Sequence, residues 1–189
     1  PLKLVYVGRL DRTKGIDIII KAVRGLPKAA LRFDIYGVAQ GAPGEAYSRY
    51  LRGLAQRDPR INFMKSIPSG GVIEKLGEYD LLVVPSRWLE TGPLVALEAF
   101  AAGVPVLGSD LGGIAEAVHH DQDGILVKSR SPKVWSAWLQ ALAGDRALAA
   151  RLRGGVVAPR SMEAVATEMI GLYSALTGAG TISASARRS

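Results

Sequence analysis

The chain has 189 residues, 48% of them hydrophobic and 22% charged, with no cysteine and a mean hydropathy of +0.16. That composition supports one domain with a sizeable core and excludes disulfides and thiolate metal sites, and no apolar run approaches the roughly 18 residues that a membrane span needs. The net charge of +7 invites a nucleic acid, but the densest basic places (Arg57/Arg60, Arg146/Arg151/Arg153, Arg187/Arg188) are scattered and aromatics make up only 6%, so the basic surface suits phosphate-bearing small ligands or an acidic membrane face better.

The opening, PLKLVYVG, lacks an initiating Met and any signal-peptide pattern, and reads as a fragment that enters directly at a strand. Lys3 to Val7 is that strand. Gly15 to Gly25 has helical periodicity, with Ile16, Ile19, Ile20 and Val23 on one face and Asp17, Lys21 and Arg24 on the other. Leu31 to Tyr36 reads as a strand, 37–44 as a Gly-rich loop, Glu45 to Arg57 as a helix and Ile61 to Met64 as a short strand. Ser69 to Leu76 predicts a helix capped by Ser69. The segment VVPSRWLETGPLVALEAFAAGVPVLGSDLGG (83–113) then supplies a buried strand from Leu81 to Val84, an irregular loop, a helix opening near Gly92, a strand from Val104 to Leu107 and a glycine turn. A short helix over 113–118, a strand from Gly124 to Val127 and helical faces marked by Trp135, Trp138, Leu139 and Leu142, by 148–153, and by Met162, Val165, Ala166, Met169 and Tyr173 complete the pattern. Residues 178–189 are small, polar and basic, the composition of a disordered tail.

Strands alternating with helices predict a Rossmann-like α/β fold, a doubly wound parallel sheet of about six strands with helices on both faces. Such a sheet binds ligand at the carboxyl ends of its strands, near the point where strand order reverses. The turns after Val7, Tyr36, Met64 and Val84 are therefore expected to line one crevice.

Two features supply chemistry there. The turn Gly8-Arg9-Leu10-Asp11-Arg12-Thr13-Lys14-Gly15 lacks both the dinucleotide and the P-loop signatures. Its cations Arg9 and Lys14 lie where a strand hands over to a helix, and a positive charge at a helix N-terminus opposes the macrodipole; an anion such as a diphosphate would compensate. Glu90 and Glu98 flank the start of the central helix, Glu98 in apolar company where an acid seldom lies unpartnered. Amides from Thr91 to Val95 are expected to point at an anion. His119 and His120, with no other His or Cys, do not make a metal site.

Taken together, VGRLDRTKG (7–15), DIYGVAQG (34–41), RINFM (60–64), the two-glutamate segment (83–118) and HDQDGILV (120–127) resemble the C-terminal, donor-binding half of a retaining GT-B glycosyltransferase of the group-one type. The resemblance runs from about Leu4 to Leu176. It implies a nucleoside diphosphate sugar as donor substrate, transfer of a hexose-type sugar with retention, no metal and no other cofactor. Carried over by motif, Arg9 and Lys14 hold the diphosphate, Glu90 meets the donor sugar and Glu98 the ribose, with Arg9, Lys14 and Glu90 as the expected catalytic groups. Gly8, Thr91, Gly92, Pro93 and Leu94 complete the sugar and phosphate contacts, and Met64, Lys65 and Ile67 border the base. The domain implied spans 1–177, with an N-terminal acceptor domain outside this chain.

The chain departs from many relatives at Thr91-Gly92-Pro93, Lys65 and Ser161-Met162-Glu163, which leaves the donor open. Without an acceptor half, the isolated chain is expected to bind nucleotide and to transfer no sugar. Alternatives from other classes are a GT-B nucleotide-sugar epimerase or phosphorylase half, and a non-catalytic nucleotide- or nucleic-acid-binding module. The setting expected is cytoplasmic, with peripheral membrane contact left open.

Overall fold

The computed structural model describes residues 1–56 and 58–177. Pro1–Ala158 forms one compact unit, and a second unit begins at Pro159. In the first, strands β1 (Leu2–Arg9), β2 (Leu31–Val38), β3 (Ile61–Phe63), β4 (Leu81–Val84), β5 (Val106–Ser109) and β6 (Gly124–Val127) make a parallel sheet in the order β3-β2-β1-β4-β5-β6. Helices α1 (Ile16–Arg24), α2 (Gly41–Ala55), α3 (Val72–Leu76), α4 (Leu94–Ala101), α5 (Gly113–Ala117), α6 (Pro132–Gly144) and α7 (Arg146–Gly154) connect the strands or follow them. The second unit contributes α8 (Met162–Thr177), none of whose residues is buried. Among the described residues no helix is long and apolar enough to cross a membrane.

Period-two alternation along the strands sends side chains to opposite faces. Leu4, Tyr6, Leu81 and Val83 join one core with Ile16, Ile19 and Ile20 of α1, Tyr47 and Leu51 of α2 and Trp135 and Leu139 of α6. Val5, Leu82, Val84 and Val106 join the other, with Leu76 of α3, Ala96 and Phe100 of α4 and Ile114 of α5. The doubly wound expectation therefore holds, with the reversal of strand order between β1 and β4.

Several boundaries differ from the sequence reading for identifiable reasons. β1 and β2 run on to Arg9 and Val38, paired in register, because Gly37 has no side chain and Leu10 closes over it. The loop expected to reach residue 44 ends early: α2 starts at Gly41, with Pro43 in its first turn, where a missing N–H costs nothing. The helix expected over 69–76 splits into a 3₁₀ turn, Ser69–Gly71, and the short α3. β5 begins at Val106 and not at Val104, whose N–H turns back to the Ala99 carbonyl at 2.8 Å, while Pro105 has no N–H to give. The Ser69 side chain with its capping role, the helix end at Arg57 and the tail 178–189 lie outside the described residues.

Candidate functional site

β1 and β4 pair only at Leu4↔Leu81 and Val5↔Leu82. Past that register they feed helices on opposite faces of the sheet, and a crevice opens between them, as expected at a topological switch point. A cavity of about 250 Å³ occupies it, lined by Tyr6, Val7, Gly8, Arg9 and Lys14 from the β1 side and by Val83, Val84, Glu90 and residues 92–95 from the β4 side.

Lys14 ends a 3₁₀ turn, Arg12–Lys14, in which the Asp11 side chain accepts from the Thr13 amide. Its ammonium lies 2.7 Å from Glu90 Oε1, both side chains about one-fifth to one-quarter exposed (24% and 20%). The anion that Lys14 needs is thus already supplied in part by Glu90. The same carboxylate oxygen accepts a hydrogen bond from Ser86 Oγ at 2.8 Å, and the Glu90 carbonyl accepts one from Gly113 N at 2.6 Å. Gly113 is obligatory there, since a Cβ would stand 2.6 Å from the Glu90 carbonyl oxygen. Arg9, the last residue of β1, is exposed at the rim and has no carboxylate partner among the described residues. Below it Tyr6 donates its O–H to the Arg9 carbonyl at 2.6 Å. Burial pushes that phenol well above its ordinary pKa, so it stays a neutral floor.

On the β4 side the helix mouth is narrower in donors than expected. Pro93 has no N–H, and the Leu94 N–H is spent on the Gly92 carbonyl at 2.8 Å. Among the described residues the amides of Thr91, Gly92 and Val95 make no backbone hydrogen bond, and Thr91 itself is exposed outside the cavity lining. Glu98 is also outside that lining, but it follows Leu94 and Val95 by four and three residues and so continues their face of α4. Partial burial raises its pKa above the usual carboxylate value. Its carboxylate has no hydrogen-bonding or charged partner among the described residues.

Met64 and Ile67 are half-buried and pack on the core that contains Tyr36 and Phe100, while Lys65 between them is exposed. Of the four turns expected to line one crevice, those after β2 and β3 do not line the cavity: Leu10 covers Gly37, and Met64, Lys65 and Ile67 are absent from its walls. The imidazole Nδ1 of His119 lies 2.8 Å from Asp123, and that of His120 accepts from the Leu126 amide at 3.0 Å, so both pin the turn before β6. Ser86 and two residues of the apolar floor, Tyr6 and Val83, were not singled out from the sequence. A short polar residue between a buried strand and Glu90 was the only available signal for Ser86.

Residues 1–155 match the family described as glycosyl transferases group 1. The chain belongs to that family. Within the glycosyl transferase group 1 family, it is 31% identical over 182 residues to the D-inositol 3-phosphate glycosyltransferase of Jonesia denitrificans, covering 90% of this chain and 42% of that protein. It is 34% identical over 185 residues to the protein of that name from Corynebacterium efficiens, covering 93% and 43%. The chain thus spans less than half the length of these curated relatives. Sucrose-phosphate synthase from Thermosynechococcus elongatus superposes with a TM-score of 0.81 at 30% identity, over 94% of this chain and 46% of that one. The Anabaena protein HepE, solved in complex with UDP, shares the fold with a TM-score of 0.78 at 20% identity, over 94% and 49%. A Rossmann-like sheet of this order is therefore the GT-B half that the sequence resembled.

Proposed function

We propose that this chain is the donor-binding half of a retaining glycosyltransferase, which moves a hexose-type sugar from a nucleoside diphosphate to an acceptor held by an N-terminal domain outside this chain. The observation that carries the reading is the Lys14–Glu90 pair, 2.7 Å apart, in the cavity where β1 and β4 part. A pyrophosphate entering that cavity meets Lys14 and Arg9. Glu90 is placed to accept hydroxyl hydrogen bonds from the sugar, and Glu98, one turn along α4, from the ribose diol; charge-assisted bonds of this kind are the strong ones.

As the bond between the anomeric carbon and the diphosphate oxygen breaks, negative charge grows on the leaving group. Fixed cations and amide donors stabilise such charge, each worth about 3–4 kcal/mol in comparable sites. In this reading Arg9, Lys14 and the free amides of Gly92 and Val95 supply that stabilisation without a metal or other cofactor. Met64, Lys65 and Ile67 border the base, and Gly8 and residues 91–94 approach the phosphate and sugar.

The relatives' names support transfer over epimerisation, phosphorolysis or nucleic-acid binding. They also suggest a phosphorylated polyol as the first acceptor to try in a full-length enzyme. A cytoplasmic setting remains part of the proposal, on the strength of the cysteine-free sequence.

A thermal-shift screen against UDP, GDP, ADP and their sugar conjugates tests the reading. One base series is expected to stabilise the chain, through RT ln(1 + [L]/Kd), and Arg9→Ala and Glu98→Ala to lose the shift. Unchanged shifts in both variants contradict the site assignment, and sugar transfer by the isolated chain contradicts the division of labour.

A further inference from the structure

The sheet does not hold the two halves of this cavity together. The β1–β4 ladder ends at Val5↔Leu82, yet Lys14 and Glu90 sit well beyond it on separate loops and meet at 2.7 Å. The bonds that span the gap come chiefly from one residue. Arg87 gives its backbone N–H to the Thr13 carbonyl at 2.6 Å, one guanidinium nitrogen to the Arg12 carbonyl at 3.1 Å and the other to Asp17 Oδ2 at 2.8 Å. Its own carbonyl accepts from Arg130 at 3.0 Å, which ties in the loop after β6. Ser86 adds a longer bond to the Thr13 carbonyl at 3.3 Å.

The anchor of this strap is buried. Asp17, only 4% exposed in the first turn of α1, receives the Tyr47 hydroxyl at 2.8 Å on its other oxygen and Lys21 more loosely at 3.4 Å. Burial opposes its charge, but the hydrogen bonds from Arg87 and Tyr47 outweigh that and hold its carboxyl below the usual range. The turn is gripped from its far side too. The Arg12 guanidinium lies over the rings of Tyr47 and Tyr50, 5.5 Å from each centroid, and those rings stack on one another. Buried polar networks that are fully satisfied rigidify what they join, and here they join the two walls of the cleft. Arg87 is absent from the cavity lining, so its action there is indirect.

We propose that Arg87, anchored on Asp17, is a positioning residue that sets the distance between Lys14 and Glu90 and so pre-organises the cleft for a nucleoside diphosphate. This rests on the donor-site reading above. Only Arg fits the post: its planar fork serves a carbonyl and a carboxylate at once, where a lysine ammonium is a single point charge.

The test is a double-variant cycle on the 189-residue chain, with UDP affinity by calorimetry and thermal midpoint as parallel readouts. Arg87→Ala is expected to weaken UDP about tenfold while Lys14 is present, but less than about twofold in a Lys14→Ala background, since residues acting through one another are non-additive. Arg87→Lys is expected to recover less than half of that loss on a logarithmic scale while keeping the thermal midpoint of the wild type. If Arg87→Ala does not fold, Arg87→Lys and Asp17→Asn run the same cycle. Equal losses in both backgrounds, or no loss at all, overturn the positioning role and leave the donor site standing. Wild type and Lys14→Ala binding UDP alike overturns the donor site itself, and the positioning role with it.

Discussion

Gly15 lies so close to Pro85 that a Cβ on it would stand 2.0 Å from the Pro85 carbonyl oxygen. The first turn and the β4–α4 loop therefore touch backbone to backbone, immediately beside Lys14. Gly15 is also in the left-handed region, at φ 66°, where a side chain costs about 1–2 kcal/mol. Gly15→Ala is expected to lose at least that much stability in urea unfolding and to weaken UDP binding, because the turn must retreat and carry Lys14 with it. A variant with unchanged stability and affinity would show that the contact does not position the turn.

In the proposed donor site Glu90 shares Lys14 with an incoming pyrophosphate. Glu90→Gln releases that ammonium, so UDP itself should bind at least as well as to the wild type. A UDP-sugar should lose its advantage over UDP, since the carboxylate proposed to accept sugar hydroxyls is gone; such charged hydrogen bonds contribute about 1.5–3 kcal/mol. Parallel titrations with UDP and UDP-glucose measure the difference. Equal weakening of both ligands would place Glu90 in structure and not in sugar recognition.

The sequence was legible where side-chain chemistry repeats with a simple period. Ile16, Ile19 and Ile20 marked α1, and the apolar run 81–84 marked β4. The cations Arg9 and Lys14 and the carboxylate Glu90 could be placed on one crevice by topology alone. What stayed hidden was long-range pairing. Asp17 read as a solvent-facing helix residue because its periodicity set it opposite Ile16 and Ile19, yet it is buried against Tyr47, 30 residues away, and Arg87, 70 away. The helix mouth misled for a local reason: Pro93 and the Gly92–Leu94 bond remove two of the donors that an ordinary N-terminus offers.

Glu98 gives a pH signature. Its folded pKa is raised by burial above the ordinary value of about 4.3, so the folded state holds the proton over a pH range where the unfolded chain has released it. Stability from this group is full below the unfolded pKa and is lost as pH rises through the folded one. In the proposed site ribose hydroxyls favour the Glu98 carboxylate, so UDP affinity should rise with pH across the same window. Glu98→Gln removes that rise while leaving the nucleotide's own titration in place. Identical pH profiles for the two proteins would remove Glu98 from the ribose site.

Trp135 is a control for the core away from the cleft. Its side chain is fully buried and its Nε1–H donates to the Ser129 carbonyl at 2.7 Å. Trp135→Ala should cost about 3–5 kcal/mol; Trp135→Phe keeps most of the packing but orphans that carbonyl, at about 1–3 kcal/mol. Chemical denaturation measures both, and Trp135→Phe should bind UDP as the wild type does. A loss of UDP affinity in that variant would mean that the α6 side of the sheet shapes the cleft.

A crystal structure of the chain with UDP decides the central claim. The account predicts the pyrophosphate within hydrogen-bonding distance of Lys14 and Arg9 and the ribose hydroxyls on Glu98, with the base against Met64 and Ile67. UDP seated elsewhere, such as the cavity of about 310 Å³ at the ends of β5 and β6 lined by Ser109, Asp110, Lys128 and Arg130, would contradict it.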